Sequence, residues 1–259
     1  MRGFVDLHCH WIAGIDDGVK TPAEGIDLLR HLRAAGFDLV VATPHMRPGM
    51  FDNDRPALEQ AFASMCPHLV ERREELPDVH LSSEHFLDDV VFDRLVKGQG
   101  LPYPDLGTEG GTEGGGGAPA PPGGRRLRGV LVELNPRGFP PQLQHRFFDL
   151  GRAGLRPVLA HPERYEPVWK DDRCLDPLLD AGACLLLDVC ALVGKYGRAS
   201  RKAAEKLLDE EAYEAACSDA HRPSDVAAVV EAIEALDKRV GATEAARLLR
   251  DGPRGILGL

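Results

Sequence analysis

Residues 1–10, MRGFVDLHCH, form a short apolar run that ends in two histidines spaced two apart. Side chains alternate faces along a β-strand, so the stretch predicts Asp6, His8 and His10 on one face and Leu7 and Cys9 on the other. Two imidazoles on one face can share a cation or form an ordinary hydrogen-bonded pair. The stretch alone leaves both readings open, and the ends of the other apolar runs have to decide.

Strand-like runs cover residues 3–9, 39–43, 79–83, 129–133, 157–160, 184–189 and 215–218, with helical patterns between them. The first helix is announced by TPAE, where Thr21 can cap, Pro22 takes the first helical position and Glu24 can complete a capping box. Further helices are expected over residues 56–75, 142–153, 175–181, 200–211 and 223–238. Strands alternating with helices imply parallel βα units, closed into a barrel or opened into a wound sheet.

A chain of 259 residues, 43% hydrophobic and 28% charged, can bury a proper core and suits one α/β domain over residues 1–259. Its 31 basic and 41 acidic residues give a net charge of −10. That balance opposes a nucleic-acid or anionic-membrane surface as the main partner and still allows local basic groups to hold a phosphate. With no cationic-then-apolar leader and no bilayer-long apolar run, the expectation is a cytoplasmic protein without membrane insertion.

The six cysteines show no CxxC pair and read as buried, reduced thiols. CPHLVER, residues 66–72, matches the C-x5-R spacing of cysteine phosphatases, whose chemistry needs a loop of N–H groups around the phosphate. Here the surrounding sequence has no glycine and reads as an amphipathic helix broken or kinked at Pro67. GTEGGTEGGGGAPAPPGG, residues 107–124, lacks apolar residues and is expected to be a flexible insertion.

Position then decides the reading of DLHCH. His45 follows FDLVVATP, Glu84 follows VHLSS, Glu133 ends GVLVE, His161 follows RPVLA, and Asp219 and His221 follow AACS. Like His8 and His10, each stands at the C-terminal end of an expected strand, the face where parallel βα barrels carry their chemistry. Asp17, in the GIDDG turn, can reach the same face. Singly, each could cap a helix or form an ion pair. Together, five histidines and four carboxylates would crowd a partly dry space at a cost of several kcal/mol unless cations were present. The set suits two or three metal ions, with manganese, iron or zinc favoured over calcium or magnesium.

Taken in order, DLHCH, GIDDG, ATPH, SEHFLDD, LVEL, AHPERY and SDAH resemble the PHP (polymerase and histidinol phosphatase) superfamily. More narrowly, the chain is similar to the bacterial metal-dependent tyrosine-protein phosphatases of capsule and exopolysaccharide loci, from about Val5 to Asp225. The resemblance implies a distorted seven-stranded, TIM-like βα barrel with a trinuclear centre, manganese being the expected metal. It implies a first metal on His8, His10, Asp219 and a bridging Glu84, a second on Glu84, Glu133 and His161, and a third on Asp17, His45 and His221. In GIDDG the carboxylate next to glycine is the family position, which selects Asp17 over Asp16.

Arg164 of HPER corresponds to a phosphate-contacting residue, with Arg47 and Arg222 as further candidates. The implied reaction is attack of a metal-bridging hydroxide on phosphotyrosine, and the implied partner is the tyrosine-rich tail of a bacterial kinase. Histidinol phosphate, or another phosphomonoester, is the alternative substrate. The sequence departs from the family at SSEH before the bridging glutamate, at DVCALVGKYG, where Asp188 replaces an asparagine, and at the Gly/Pro insertion.

Overall fold

The computed structural model describes residues 3–107 and 126–259. The expected flexible insertion lies outside the described residues, apart from Gly107. β1 (Phe4–Cys9) leads into α1 (Pro22–Ala35), β2 (Phe37–Ala42), β3 (His45–Met46), α2 (Arg55–Val70), β4 (Asp78–Leu81), β5 (Glu84–Phe86) and α3 (Asp89–Val96). Then come β6 (Arg128–Glu133), α4 (Leu143–Arg152), β7 (Leu155–Ala160), α5 (Glu166–Lys170), α6 (Asp176–Asp180), β8 (Cys184–Asp188), α7 (Gly197–Asp209) and β9 (Tyr213–Cys217). The chain closes with α8 (Val226–Val240), α9 (Ala242–Ala246) and α10 (Gly252–Leu257).

α1 starts as its sequence predicts. Thr21 Oγ1 accepts the Glu24 N–H and the Glu24 carboxylate accepts the Thr21 N–H, both at 3.3 Å, a box worth about 1 kcal/mol. α2 runs through Pro67 to Val70, because the missing N–H falls in its last turns where few rungs depend on it. The expected helix 56–75 is thereby shortened, and Arg73–Glu75 forms a separate 3₁₀ turn. Cys66 lies inside α2, donating to the Phe62 carbonyl, so no phosphate loop surrounds it. All six cysteines are free. No helix of the described residues is long and apolar enough to cross a membrane.

Every strand pairing is parallel, in one sheet ordered β1-β2-β4 and another ordered β3-β5-β6-β7-β8-β9. Two short strands lie beyond the ends of expected ones: β3 follows β2 after Thr43–Pro44 and β5 follows β4 after Ser82–Ser83, both in the other sheet. His45 and Glu84 therefore begin short strands and face each other in register. The chain beyond β9 joins β1 through a Cys9–Ala220 bridge, with the Asp219 N–H donating to the His8 carbonyl at 3.0 Å.

Two apolar cores result. Val5, Leu7, Val41, Leu131, Leu186 and Cys217 belong to an inner core, while Leu28, Val40, Val132, Phe147 and Leu185 belong to an outer one packed against the helices. Their neighbours alternate as period-2 strands require. β1 and β9 are exceptions; in β9, Tyr213 joins the outer core and Ala215 the inner one at a register shift against β8, and in β1 the break shapes the site. Leu7 joins the inner core and Cys9 the outer one, so they do not share a face as the simple alternation predicted. The cause is a bulge, in which Asp6 to Cys9 of β1 spans only Val40 to Ala42 of β2. The extra residue re-aims the strand end, and His8 and His10 both reach the site while Cys9 turns away from it.

Candidate metal centre

The centre is built from the ends of β1, β3, β5, β6, β7 and β9 and the turns beyond them. Glu84 stands in the middle. Its Oε1 lies 3.0 Å from His161 Nε2, and its Oε2 lies 3.2 Å from His8 Nε2, 3.1 Å from His45 Nδ1 and 3.5 Å from His10 Nε2. Asp219 Oδ1 approaches His8 and His10 at 3.3 and 3.6 Å. Asp17 Oδ1 lies 3.5 Å from both His45 Nε2 and His221 Nε2.

The candidate ligands are therefore brought together, in overlapping groups whose ligand atoms lie within 4.8 Å of one another. One group is His10, Asp17, His45 and His221; the others are His8, His10 and Asp219; His8, Glu84 and His161; and His45, Glu84 and Glu133. The family-based division put Glu133 with His161. In the structure Glu133 falls in the group with His45 and Glu84, and His161 in the group with His8 and Glu84.

Local backbone geometry aims these groups. His161 and Asp219 both take left-handed conformations, φ 37° and 46°, which is strained for a residue with a Cβ and common where a site over-determines it. At Gly18 a Cβ would sit 2.2 Å from the His10 carbonyl oxygen, so only glycine lets the GIDDG turn fold back on His10.

The donor set fits divalent cations. His8 Nε2 and His10 Nε2 are 3.1 Å apart, close enough to share only one proton. His45 Nδ1, Glu133 Oε2 and Asp219 Oδ1, which face the cluster, are buried with no hydrogen-bond partner. Buried polar atoms left so in numbers are costly, roughly 1–3 kcal/mol each, and nitrogen and oxygen donors facing inward are what a cation cluster needs.

Without cations, protons compensate. Burial opposes charge on His8, His45 and His221, yet Glu84 and Asp219 push His8 up to about 9, Glu84 and Asp17 push His45 up to about 10, and Asp17 and Asp219 push His221 up to about 9. Burial and the Arg164 charge lower His161 to about 4. Burial and the neighbouring Glu84 raise Glu133 to about 7.

A family model described as Capsular polysaccharide synthesis, CpsB/CapC, matches residues 4–103 and 125–258. The chain belongs to this family. It is 26% identical over 219 residues to the tyrosine-protein phosphatase YwqE of Bacillus subtilis, spanning 84% of this chain and 77% of that protein. It is 23% identical over 259 residues to the tyrosine-protein phosphatase CpsB of Streptococcus pneumoniae, spanning 98% of each. Crystal structures of YwqE and CpsB, described as unique metal-dependent tyrosine phosphatases, match with a TM-score of 0.82 at 24% identity, over 98% of this chain and 94% of that one. A phosphotriesterase homology protein from Escherichia coli, complexed with phosphate in its active site, matches at a TM-score of 0.56 and 15% identity, over 98% of each chain.

In this CpsB/CapC chain two of the three candidate arginines border the centre. Arg164 Nη1 donates to Asp219 Oδ2 at 2.6 Å, and its guanidinium lies 4.4 Å from the centroid of the Tyr196 ring. Arg47 Nη1 lies 3.6 Å from Glu133 Oε2, with its guanidinium 4.1 Å from the Phe86 centroid. Arg222 is exposed, and among the described residues its guanidinium has no ion-pair partner.

Four supporting residues escaped the sequence reading. Asp16, passed over as a ligand, accepts from His10 Nδ1 at 2.8 Å and from the His45 backbone N–H at 3.1 Å, so it orients two imidazoles at once. Its place next to Asp17 in GIDDG was the available signal. Asp6 accepts from the backbone N–H groups of His8 and Ser218 and from the Ser218 hydroxyl, tying β1 to the turn that carries Asp219. Glu163 is fully buried, raised to about 8 by burial and by Asp188, and takes a hydrogen bond from the Tyr213 hydroxyl at 2.9 Å. Asp188 is the fourth, buried at the end of β8 beside Arg164. Only contacts distant in sequence reveal the last three.

Proposed function

We propose that this chain is a metal-dependent protein-tyrosine phosphatase, built as a distorted seven-stranded βα barrel. The observation that carries the reading is the Glu84 carboxylate with imidazoles on both oxygens and an arginine at either border of the cluster. The proposed ligands are His8, His10, Asp17, His45, Glu84, Glu133, His161, Asp219 and His221, holding two or three ions, manganese first among them.

Divalent cations bound there would supply the charge that polarises phosphoryl oxygens and acidifies a water molecule. Arg164 and Arg47 add fixed positive charge for the oxygens of a phosphate monoester, where transition-state charge grows. The leaving tyrosinate, with a pKa near 10, departs more easily than an alkoxide, so no side chain has to serve as a dedicated acid. Asp16 keeps His10 in the tautomer that presents Nε2 to the centre. The substrate we assign is the phosphotyrosyl tail of a bacterial tyrosine kinase acting in capsular polysaccharide synthesis, in the cytoplasm.

The test is phosphate release by chelator-stripped protein with and without manganese, on a phosphotyrosyl peptide and on histidinol phosphate in parallel. Metal-restored turnover of the peptide alone supports the proposal. Turnover of histidinol phosphate alone keeps the metal centre and replaces the substrate, and silence on both rejects the phosphatase reading.

A further inference from the structure

Arg164 is held from three directions. Nη1 donates to Asp219 Oδ2 at 2.6 Å, the same nitrogen lies 3.6 Å from Asp188 Oδ2, and the guanidinium stacks on the Tyr196 ring. Asp188 is fully buried. Its Oδ1 accepts the Cys190 N–H at 2.9 Å, the Tyr196 hydroxyl is a further side-chain partner, and Arg164 Nη1 is the charge beside Oδ2. A buried carboxylate needs a positive charge near it, and Arg164 supplies that charge. The backbone of Asp188 is fixed in turn, because its N–H donates to Glu163 Oε1 at 3.0 Å. Neighbours in sequence, Glu163 and Arg164, thus engage the two ends of one residue.

We propose that Asp188 and Tyr196 are positioning residues that clamp the Arg164 guanidinium beside the metal cluster when a phosphate enters, an inference that rests on the phosphatase reading above. Asp219 cannot do this work alone. It belongs to a candidate ligand group with His8 and His10, and a carboxylate drawn to a cation has less charge to offer an arginine. Asp188 belongs to none of those groups and keeps its charge for Arg164. The Tyr196 face adds a cation–π contact that fixes the plane of the guanidinium. The hydrogen bond to Asp219 uses Nη1, and the side chain keeps 30% of its surface exposed for an incoming anion to approach.

The test uses the full manganese-loaded chain carrying Asp188→Asn, Tyr196→Leu or Tyr196→Phe, each with and without Arg164→Ala. Inorganic phosphate binding is measured by calorimetry, kcat and KM on a phosphotyrosyl peptide, and manganese content per chain by elemental analysis. Asp188→Asn and Tyr196→Leu should each weaken phosphate binding roughly tenfold and raise KM more than they lower kcat, with manganese content unchanged. Tyr196→Phe keeps the aromatic face and removes only the hydroxyl that bonds Asp188, so it should lose less phosphate affinity than Tyr196→Leu. In the Arg164→Ala background neither loss should recur, because the clamp has nothing left to hold. Losses that add to that of Arg164→Ala, unchanged phosphate affinity in both single variants, or a matching loss of manganese would overturn the clamp. An active parent with additive variants rejects the clamp alone. Phosphate binding with the expected coupling in a protein inactive on the peptide rejects the tyrosine-phosphatase reading and keeps the clamp.

Discussion

His85 and His161 are both buried imidazoles, and they stand in regions that treat them oppositely. His85 lies at the seam where the chain around Leu101–Tyr103 bonds to β6, the Tyr103 N–H donating to the Gly129 carbonyl at 2.8 Å. Its Nδ1 donates to the Leu131 carbonyl at 2.9 Å and its Nε2 accepts the Leu101 N–H at 3.1 Å. At the same seam the Tyr103 hydroxyl donates to the Leu7 carbonyl and Ser82 Oγ to the Leu101 carbonyl. His161, at the strand ends, has Glu84 on Nε2 and no partner on Nδ1. The seam spends its polar groups on backbone partners and gains stability. The strand ends face polar side chains toward one another and leave donors open, so a histidine there contributes to ligand binding more than to the fold.

Exchanging the two histidines for alanine breaks this comparison most directly. His161→Ala should lower metal-restored phosphatase turnover by at least about a hundredfold, beyond what loss of an outer metal-site partner costs, with the metal-free melting temperature little changed. His85→Ala leaves the Leu101 N–H and Leu131 carbonyl without partners and opens a cavity, so it should cost roughly 2–4 kcal/mol of stability. Denaturant unfolding and initial rates, measured side by side, check both. If His161→Ala destabilises the metal-free fold as much as His85→Ala does, the distinction fails.

Asp16→Asn sharpens it at a smaller amplitude. Asparagine can still bond His10 Nδ1 while losing the charge that fixes the tautomer, and outer partners of this kind are typically worth 10–100-fold in metal affinity. Manganese titration of the stripped variant should show a loss in that range with the fold intact. An unchanged affinity would make Asp16 a structural cap for its turn, in the manner of the seam.

The sequence carried most strand positions, the α1 cap and the places of the candidate ligands, because each depends on local periodicity and on the residue just past an apolar run. What it hid depends on contacts across the fold. The β1 bulge was invisible because DLHCH scans as uninterrupted alternation. The short strands β3 and β5 were hidden as well, because their pairing crosses the fold, with His45 opposite Glu84. His85 could not be told from His45 by position, since each stands two residues past an expected strand, and only partner atoms separate them. Asp188 read as a substitution in a rim segment, and its contact with Arg164 shows why a charge can persist there.

The smallest expected effect is in pH dependence, where the two regions should pull at opposite ends of the scale. Burial lowers His85 from 6.5 to about 4, so the folded state prefers it neutral. Its contribution is present above pH 6.5 and is lost as pH falls toward 4, with or without metal. His8, His45 and His221 are raised from 6.5 to between about 9 and 10. Their contribution to the metal-free protein is full below pH 6.5 and is lost as pH rises through 9 to 10. Metal binding requires those imidazoles neutral, so manganese added to weakly buffered stripped protein at pH 7 should release protons. The loaded protein should then keep its melting temperature through the alkaline range in which the stripped protein loses it. Melting curves from pH 5 to 10 for both forms decide the matter: an alkaline loss of the same size in each would mean that these protons do not stand in for cations at the strand ends.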